Sequence, residues 1–246
     1  MSVPTQAAEV VEVRALRHDV RELVLRPVER QVTFQAGQWI SVHLPLGGDK
    51  PTVRAYTLAE PPTADGRMVL CFDRVKGGAA SAFLFEVRVG DRLVVSDPLG
   101  SFTMPQADGR GVAMVTWLTG VVPMRCMLLD LASGSDRPPP RTLLLYGGPS
   151  ADAMPYHQAL LEMARAHPWF CYVPVVPPSE ATPQEGMQRV LETMPTAFDQ
   201  AFGGEAGPQT VHPMLAGVRA LVLPAREWLV THLGYAQAQV QKELYD

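Results

Sequence analysis

The feature that most constrains the fold of this 246-residue chain is a change of pattern near residue 106. Before it, short runs rich in β-branched and aromatic residues are separated by turn signals such as Gly47-Gly48, Pro61-Pro62 and Asp65-Gly66. Several short strands at this spacing predict a barrel or a sandwich. The predicted strands are Glu9–Leu16, Arg21–Pro27, Trp39–Leu44, Val53–Leu58, Met68–Val75 and Arg92–Val95, with one short helix at Ala80–Glu86.

After residue 106, strand and helix alternate four times, which predicts a parallel sheet covered by helices. The predicted strands are Val112–Leu118, Thr142–Tyr146, Phe170–Val176 and Thr210–Ala216. The predicted helices are Pro123–Leu131, Asp152–Ala166, Gln184–Thr193 and Val218–Leu233. Two stretches rich in Gly and Pro, Ser133–Arg141 and Gly203–Pro208, are predicted linkers. We therefore expect two domains, residues 1–106 and 107–246.

Composition excludes several classes of function. The formal net charge is −4, with 21 Lys and Arg against 25 Asp and Glu, so no nucleic-acid partner is expected. The cysteines Cys71, Cys126 and Cys171 form no CxxC motif, and neither a zinc site nor an iron–sulfur cluster is predicted. No apolar run approaches the roughly 20 residues that span a bilayer. The first residues lack a secretory pattern, and a cytoplasmic location is expected.

The segment Arg54-Ala55-Tyr56-Thr57 combines residue types that suit a flavin dinucleotide. Such a ligand carries an anionic pyrophosphate and a flat, partly apolar ring. Arg54 can pair with a phosphate through two parallel hydrogen bonds. Tyr56 lies two residues further on the same strand face, so its ring can cover the flavin, while Thr57 points to the other side. On its own, this string is also compatible with an ordinary exposed strand.

A second segment, Gly77-Gly78-Ala79-Ala80-Ser81, suits a phosphate group. Two glycines let the backbone approach a ligand closely. The amides that open the following helix can donate to phosphate oxygens, and Ser81 adds a hydroxyl. An ordinary helix-entry loop would explain this segment equally well if it stood alone. It is followed, however, by Gly90-Asp91 and by Pro98-Leu99-Gly100-Ser101-Phe102.

This ordered series resembles the flavin domain of the ferredoxin–NADP reductase superfamily. That pattern is Arg-x-Tyr-Ser/Thr, Gly-x-x-Ser/Thr, Gly-Asp and Pro-x-Gly-x-Phe. The resemblance implies an antiparallel Greek-key β-barrel followed by an α/β domain with a parallel sheet, and FAD as cofactor. It places Arg54 at the pyrophosphate, Tyr56 on the flavin and Thr57 near the reactive ring nitrogen, so that Tyr56 and Thr57 are the catalytic candidates. The other implied cofactor-binding residues are Phe72, Asp73, Arg74, Gly78, Ala79, Ala80 and Ser81.

The second domain departs from the family at the loop after its first strand. Family members carry Gly-Thr-Gly-Ile-Ala-Pro, and this chain carries Leu118-Thr119-Gly120-Val121-Val122-Pro123. The resemblance keeps Thr119 as a cofactor-binding residue. Leu118 adds a side chain where backbone and ligand would approach each other. If this position needs a positive φ, leucine there also costs on the order of 1–2 kcal/mol.

Further differences from the family pattern remove positively charged side chains. Pro149 stands where the family has an arginine, Val176-Pro177-Pro178 replaces Ser-Arg, and Ala216 replaces a cysteine. From residue 108 onward the chain has 9 Arg and Lys against 13 Asp and Glu, although a domain that holds the 2′-phosphate of NADPH should show an arginine cluster. The sequence therefore leaves open whether NADH, NADPH or neither binds. Tyr245 is a candidate to cover the second flavin face, and a packed edge aromatic is the alternative.

The resemblance implies an FAD-dependent oxidoreductase that transfers electrons between NAD(P)H and a separate acceptor, such as a ferredoxin, a flavodoxin or an oxygenase component. An iron–sulfur partner must be a separate chain, because no cluster-binding cysteines occur. The alternative is a flavin-binding member that has lost ordinary NAD(P)H use, with Trp117 and Leu118 filling the nucleotide cleft, and that serves as a remodelled catalytic or partner-binding subunit. A third hypothesis is a structural subunit without flavin. The oligomeric state is not predicted.

Overall fold

The structure is a computed structural model that describes residues 3–48, 50–134 and 138–245. Residues 135–137 of the predicted linker Ser133–Arg141 lie outside the described residues. The chain divides into two compact units. The first comprises Met1–Met104 and Val122–Asp130, and the second comprises Pro105–Val121 and Leu131–Asp246. The predicted domain boundary at 106/107 stays a prediction.

The first unit is built on an antiparallel sheet that, among the described residues, has six strands. The strands are β1 (Thr5–Ala15), β2 (Val20–Pro27), β3 (Trp39–Leu44), β4 (Thr52–Thr57), β5 (Met68–Asp73) and β6 (Arg92–Ser96). Their order is β4-β3-β6-β1-β2-β5. The edge strands β4 and β5 meet through a bridge between Leu58 and Leu70, so the sheet forms a nearly closed barrel.

Alternation of side chains explains why this barrel has a packed interior. In β3, Ile40, Val42 and Leu44 are fully buried, while the residues between them are partly exposed. This is the period of two expected for a strand with one face on the core. The helix α1 (Ala79–Glu86) contributes Leu84 and Phe85 to the same core.

The second unit is built on a parallel sheet that has five strands within the described part of the chain. The strands are β7 (Gly111–Trp117), β8 (Thr142–Gly147), β9 (Phe170–Val175), β10 (Val211–Gly217) and β11 (Gln241–Leu244). Their order is β11-β10-β7-β8-β9. The predicted fold class, a β-barrel followed by an α/β domain, is confirmed. The strand β11 is missed by the sequence, because its four residues are too few to show a periodic pattern.

The helices after the barrel are α2 (Val121–Ala132), α3 (His157–Ala166), α4 (Pro183–Phe202) and α5 (Arg219–Leu233). Most of α2, residues Val122–Asp130, belongs to the first unit. Helices α4 and α5 share a core with the parallel sheet. The described part of the chain contains no helix of sufficient length and apolarity to cross a membrane. The expected cytoplasmic location stays a prediction.

Helix α4 corrects the predicted helix Gln184–Thr193, because it continues through Pro195 to Phe202. It begins at a capping box in which Thr182 and Glu185 bond to each other's backbone amides. It continues because Met194, Ala197, Phe198 and Ala201 bury a common face, which outweighs the amide hydrogen bond that proline lacks. Gly203 ends the helix in the left-handed conformation, as is common at helix C-termini.

Helix α3 starts later than the predicted Asp152. A short 3-10 helix, Ala151–Ala153, comes first, and Ser150 caps it by accepting a hydrogen bond from the Ala153 amide. Tyr156 then has a positive φ of 63°, which interrupts the chain before α3 begins at His157. The separate turn positions a loop at the carboxyl end of β8.

Candidate functional site

Three aromatic rings join β4, β5 and α1 in the first unit. The centroids of Tyr56 and Phe72 are 5.8 Å apart with an interplanar angle of 65°. Those of Phe72 and Phe85 are 5.6 Å apart at 86°. Both pairs have the edge-to-face geometry that aromatic quadrupoles favour. Two predicted site residues, Tyr56 and Phe72, are therefore in direct contact, and Phe85 ties them to the helix that follows the glycine loop.

Two opposite charges act on the Tyr56 hydroxyl. Burial is the main cause that raises the pKa of Tyr56, the Asp73 carboxylate raises it further, and the Arg54 guanidinium opposes both. Arg54 is exposed, and its Nη1 donates to the carbonyl oxygen of Val53 at 2.9 Å. Because Arg54 and Tyr56 lie two residues apart on β4, the strand presents a cation and an aromatic ring on one face.

Thr57 and Arg74 border this arrangement. Thr57 ends β4, pairs with Trp39 on β3 and is 8% exposed. The Arg74 guanidinium lies 4.4 Å from the centre of the Phe85 ring, and Arg21 lies 4.9 Å from that centre. Arg21 also donates to the carbonyl oxygen of Phe85. Sequence reasoning missed Arg21 and Phe85, because no motif links them to the glycine loop.

The start of α1 offers backbone donors. Gly78 is the N-cap residue, and no described side chain caps the helix or places an acidic group in its first turn. The first amides of a helix lack partners within the helix, and the helix dipole adds positive potential there. Gly77 has a φ of +74°, a conformation that glycine adopts without strain. Ala79 and Ala80 therefore open a helix end that suits an anion.

Ser81 shapes this loop from within. Its Oγ accepts a hydrogen bond from the Val75 amide at 3.1 Å and can donate to the carbonyl oxygen of Gly78 at 3.1 Å or of Val75 at 3.3 Å. A Cβ atom placed on Gly78 would lie 3.0 Å from that Oγ and from Val75 Cβ. The described contacts thus use the Ser81 hydroxyl to hold the loop, whereas the sequence suggested a direct phosphate contact.

In the second unit, Thr119 lies in a short 3-10 helix, Leu118–Gly120, at the carboxyl end of β7. Leu118 has a φ of +45°, so the position that the family fills with glycine does adopt the left-handed conformation here. The Leu118 side chain reaches toward Gly148, since a Cβ atom on that glycine would lie 3.5 Å from Leu118 Cδ2 and 2.3 Å from Met154 Cγ. Leucine and methionine therefore cover the backbone at the end of β8.

Trp117 does not line an open cleft within the second unit. It is 6% exposed and belongs to the core between the parallel sheet and α4. Cβ atoms placed on Gly147 and Gly186 would lie 2.6 Å and 2.3 Å from its ring. The suggestion that Trp117 fills a nucleotide cleft is therefore replaced by a core-packing role, and Leu118 alone keeps its place at the sheet edge.

The C-terminal strand brings a carboxyl group beside β10. Glu243 on β11 pairs with Ala216, and burial raises the pKa of its carboxyl above the ordinary value of 4.5. Tyr245 follows, and its amide donates to the carbonyl oxygen of Gly217 at 3.0 Å. Sequence reasoning singled out Tyr245 and passed over Glu243, because the strand that half-buries Glu243 was not predicted.

Arg125 on α2 belongs to the first unit. Its Nη1 donates to the carbonyl oxygen of Ala59 at 2.8 Å, just beyond the end of β4. This contact gives Arg125 a structural partner. Among the described residues, no group of three or more His, Cys, Asp or Glu side chains is arranged to hold a metal ion.

The residues of the first unit fit an FAD molecule. An uncapped helix end and Arg54 provide donors for its pyrophosphate. Tyr56 provides a half-buried aromatic face for its ring. All of the predicted FAD residues from Arg54 to Ser81 belong to this unit, and Thr119 and Tyr245 belong to the other.

Comparison with known proteins agrees with this assignment. The profile of the family described as oxidoreductase FAD-binding domain matches residues 7–104. Ferredoxin–NADP reductase B of Sorangium cellulosum is 29% identical over 97% of this chain and 97% of its own length. The phenol hydroxylase P5 protein of Acinetobacter pittii is 30% identical over 80% of this chain, which covers 55% of that relative.

Solved structures show the same fold. A ferredoxin–NADP⁺ reductase from Neisseria gonorrhoeae, with bound FAD and NADP, superposes with a TM-score of 0.78 at 18% identity, covering 99% of both chains. The cytochrome P450 reductase GcoB from Amycolatopsis has a TM-score of 0.76 at 25% identity, covering 99% of this chain and 71% of that one. Fold and site together define a flavin oxidoreductase with FAD as its cofactor. The resemblance to the ferredoxin–NADP reductase superfamily is confirmed by the FAD-binding domain profile over residues 7–104 and by the reductase that matches 97% of the chain.

Proposed function

We propose that this flavin oxidoreductase transfers electrons between NAD(P)H and a separate redox acceptor. The observation that carries the proposal is the contact series Tyr56–Phe72–Phe85, which joins the arginine-bearing strand to α1, a helix whose start is uncapped. When bound, FAD supplies the redox chemistry, because it exchanges electrons in pairs or singly. The protein supplies binding, orientation and electrostatics.

Each residue then has a distinct task. Arg54 and the amides of Ala79 and Ala80 hold the pyrophosphate by charge-assisted hydrogen bonds. Tyr56 covers one face of the flavin ring and excludes water from it. Thr57, buried at the end of β4, offers a hydroxyl at the ring edge. Thr119 and Tyr245 are proposed as further cofactor contacts from the second unit.

The electron acceptor is proposed to be a separate protein. The spacing of Cys71, Cys126 and Cys171 offers no site for a cluster within this sequence. Two of the similar proteins are a ferredoxin–NADP reductase and a phenol hydroxylase component, so a ferredoxin, a flavodoxin or an oxygenase component suits the role. This chain spans only 55% of the length of the relative from Acinetobacter. A partner of the same kind is therefore proposed for this chain and does not follow from the match alone.

The position of Leu118 favours a second candidate function, that of a flavin-binding protein that does not use NAD(P)H. Its side chain and Met154 cover the backbone at Gly148, where a dinucleotide would approach the sheet. The chain would then bind FAD, would not use NAD(P)H, and would act as a remodelled catalytic or partner-binding subunit.

Anaerobic mixing of the FAD-loaded protein with NADH or NADPH separates the two candidates. If the proposed function is right, at least one of the two nucleotides should reduce the flavin and bleach its absorbance. If neither nucleotide bleaches the flavin while dithionite still does, electron transfer from NAD(P)H is excluded and the second candidate holds. Purified protein that binds no flavin at all would contradict both.

A further inference from the structure

Phe85, near the C-terminal end of α1, is held by two arginines from different parts of the barrel. The guanidinium carbon of Arg74 lies 4.4 Å from the centre of the Phe85 ring, and that of Arg21 lies 4.9 Å from the same centre. Arg21 belongs to β2, whereas Arg74 directly follows β5. A guanidinium this close to an aromatic ring is attracted by the ring quadrupole. The position of the Phe85 ring is therefore fixed by two separate contacts.

Arg21 also holds the backbone at this end of the helix. Its guanidinium donates a hydrogen bond to the carbonyl oxygen of Phe85, the seventh of the eight residues in α1. The last four carbonyl groups of a helix have no partner within the helix, and the helix dipole makes this end negative. The described residues of α1 place no basic group in its last turn. Arg21 therefore supplies, from β2, the cation that this helix end lacks.

The Phe85 ring links the helix to Tyr56. It meets the Phe72 ring edge to face at 5.6 Å, and the Phe72 ring meets that of Tyr56 at 5.8 Å. Arg21 and Phe72 are also direct partners in the pairing of β2 with β5. Phe72 and Phe85 are each only 4% exposed, which leaves a ligand almost no surface on either ring. An effect of Phe85 on the cofactor therefore has to pass through the residues that it contacts.

We infer that Phe85 and Arg21 are positioning residues for FAD. Arg21 fixes the C-terminal end of α1, and Phe85 ties that helix through Phe72 to the Tyr56 ring. The Tyr56 ring and the first amides of α1 are thereby held in one arrangement before the cofactor binds, which lowers the cost of ordering them on binding. The inference rests on the proposed function, because that proposal assigns Tyr56 to the flavin ring and the start of α1 to the pyrophosphate.

Phe85→Leu tests the first part of this inference, because leucine keeps an apolar side chain in the core but removes the aromatic ring. Titration of the flavin-free protein with FAD should give a dissociation constant several-fold to about 10-fold higher than that of wild type. The bound FAD should also fluoresce more strongly, since a displaced Tyr56 ring quenches the flavin less. The matched control is Phe83→Leu, which removes a partly buried ring from the same helix and should leave both values unchanged.

A double-mutant cycle with Tyr56→Leu separates positioning from a general loosening of the fold. If Phe85 acts through Tyr56, Phe85→Leu should weaken FAD binding much less in the Tyr56→Leu background than in wild type. Unchanged FAD affinity in folded Phe85→Leu protein would overturn the role of Phe85. An equal loss in both backgrounds would show that Phe85 does not act through Tyr56.

Arg21→Gln tests the second part, with riboflavin as the comparison ligand. This variant should weaken FAD binding several-fold and affect riboflavin binding much less, because riboflavin lacks the pyrophosphate that the start of α1 would hold. An equal loss for FAD and riboflavin, or no loss for either, would overturn the role of Arg21.

Circular dichroism of each variant checks that a changed affinity does not come from unfolding. If Phe85→Leu does not fold, Arg21→Gln still tests the inference, because Arg21 is partly exposed and lies outside the hydrophobic core. Failure of these variants to change FAD binding leaves the proposed function intact, since the anaerobic mixing tests that function separately. Wild-type protein that binds no FAD would overturn both.

Discussion

At the scale of single residues, Arg54 carries the charge on which the proposed pyrophosphate site depends. It is exposed on β4, and its charge opposes the rise that burial causes in the pKa of Tyr56. Its one described side-chain hydrogen bond is to the neighbouring carbonyl oxygen of Val53. Such a contact adds little to folding, so the arginine is available for a role in binding.

Arg54→Ala is therefore expected to weaken FAD binding by about 10- to 100-fold, the effect of one lost charge-assisted contact. Titration of the flavin-free protein with FAD, followed by fluorescence quenching, measures this. Arg92→Ala, which removes another exposed arginine from β6, is the control and should bind FAD normally. Full FAD occupancy in Arg54→Ala would show that the phosphate assignment is wrong.

Leu118 is a residue whose backbone is strained, with a φ of +45°. Replacing it by glycine or alanine separates strain from packing, because both substitutions remove the side chain beyond Cβ. Leu118→Gly should be more stable than Leu118→Ala by about 1–2 kcal/mol, since only the alanine keeps the left-handed penalty. Urea unfolding of the two variants measures the difference. An alanine variant as stable as the glycine variant would contradict the positive φ.

Glu243 makes stability depend on pH. Its folded-state pKa is raised by burial above the ordinary 4.5, so the folded protein holds this proton more tightly than the unfolded chain does. The stabilisation that comes from the protonated Glu243 carboxyl is complete below the pKa of this group in the unfolded chain. It is lost as pH rises through the higher pKa of the group in the folded protein. Glu243→Gln should therefore gain stability relative to wild type as pH rises from about 4 to 7.

Thermal unfolding at several pH values tests this expectation. The control is Glu227→Gln on α5, whose exposed side chain should give a smaller pH-dependent difference. A Glu243→Gln variant that becomes less stable than wild type toward neutral pH would mean that the carboxylate form is stabilised in the folded protein.

At the scale of elements, α4 packs closely on the sheet because Gly186 of this helix leaves room for the Trp117 ring of β7. A Cβ atom on Gly186 would lie 2.3 Å from Trp117 Cη2. Trp117 is in turn packed against Gly147 and Val190, so it has little freedom to move. The helix and the end of β7 thus fix each other through one large buried side chain.

Gly186→Ala should destabilise the protein by about 1–3 kcal/mol, the usual effect of overpacking a core, even though alanine is the better helix former. Chemical denaturation measures it. Gly186→Ala combined with Trp117→Phe should recover part of the loss, because the smaller ring makes room. No loss in the single variant would mean that the α4 contact is looser than described.

The elements also show why some predictions succeeded. In β3, strict alternation encodes one buried face, and Trp39–Leu44 is found as predicted. In α4, local rules stop the helix near Pro195, and only the buried face of Met194, Ala197 and Phe198 shows that it continues. The strand β11 is stabilised by pairing with β10, a contact between distant parts of the chain that no local pattern reveals.

At the scale of the whole molecule, charge and cofactor contacts are distributed unevenly. The first 107 residues balance 12 basic against 12 acidic residues, while the remainder has an acidic excess. The proposed pyrophosphate contacts, Arg54 and the start of α1, both lie in the balanced part. Cofactor binding should therefore stabilise the first unit directly.

FAD at about 100 times its dissociation constant should add roughly 2.7 kcal/mol to the stability of the unit that binds it. Calorimetry of the flavin-free protein with and without FAD should show a rise of several degrees in the unfolding midpoint. Riboflavin, which lacks the pyrophosphate, is the control and should give a much smaller rise. Equal stabilisation by riboflavin would show that the phosphate contacts contribute nothing.

The sequence by itself determined the type and order of most elements, because period and turn chemistry are local properties. It also determined the residue types of the proposed flavin site, since Arg54, Tyr56 and the glycine loop are recognisable as short sequence motifs. Only the tertiary structure decided which side chains meet: Phe85 against Phe72, Trp117 in the core, and Glu243 beside β10. These contacts join segments far apart in the chain, and their geometry follows from how whole strands and helices pack.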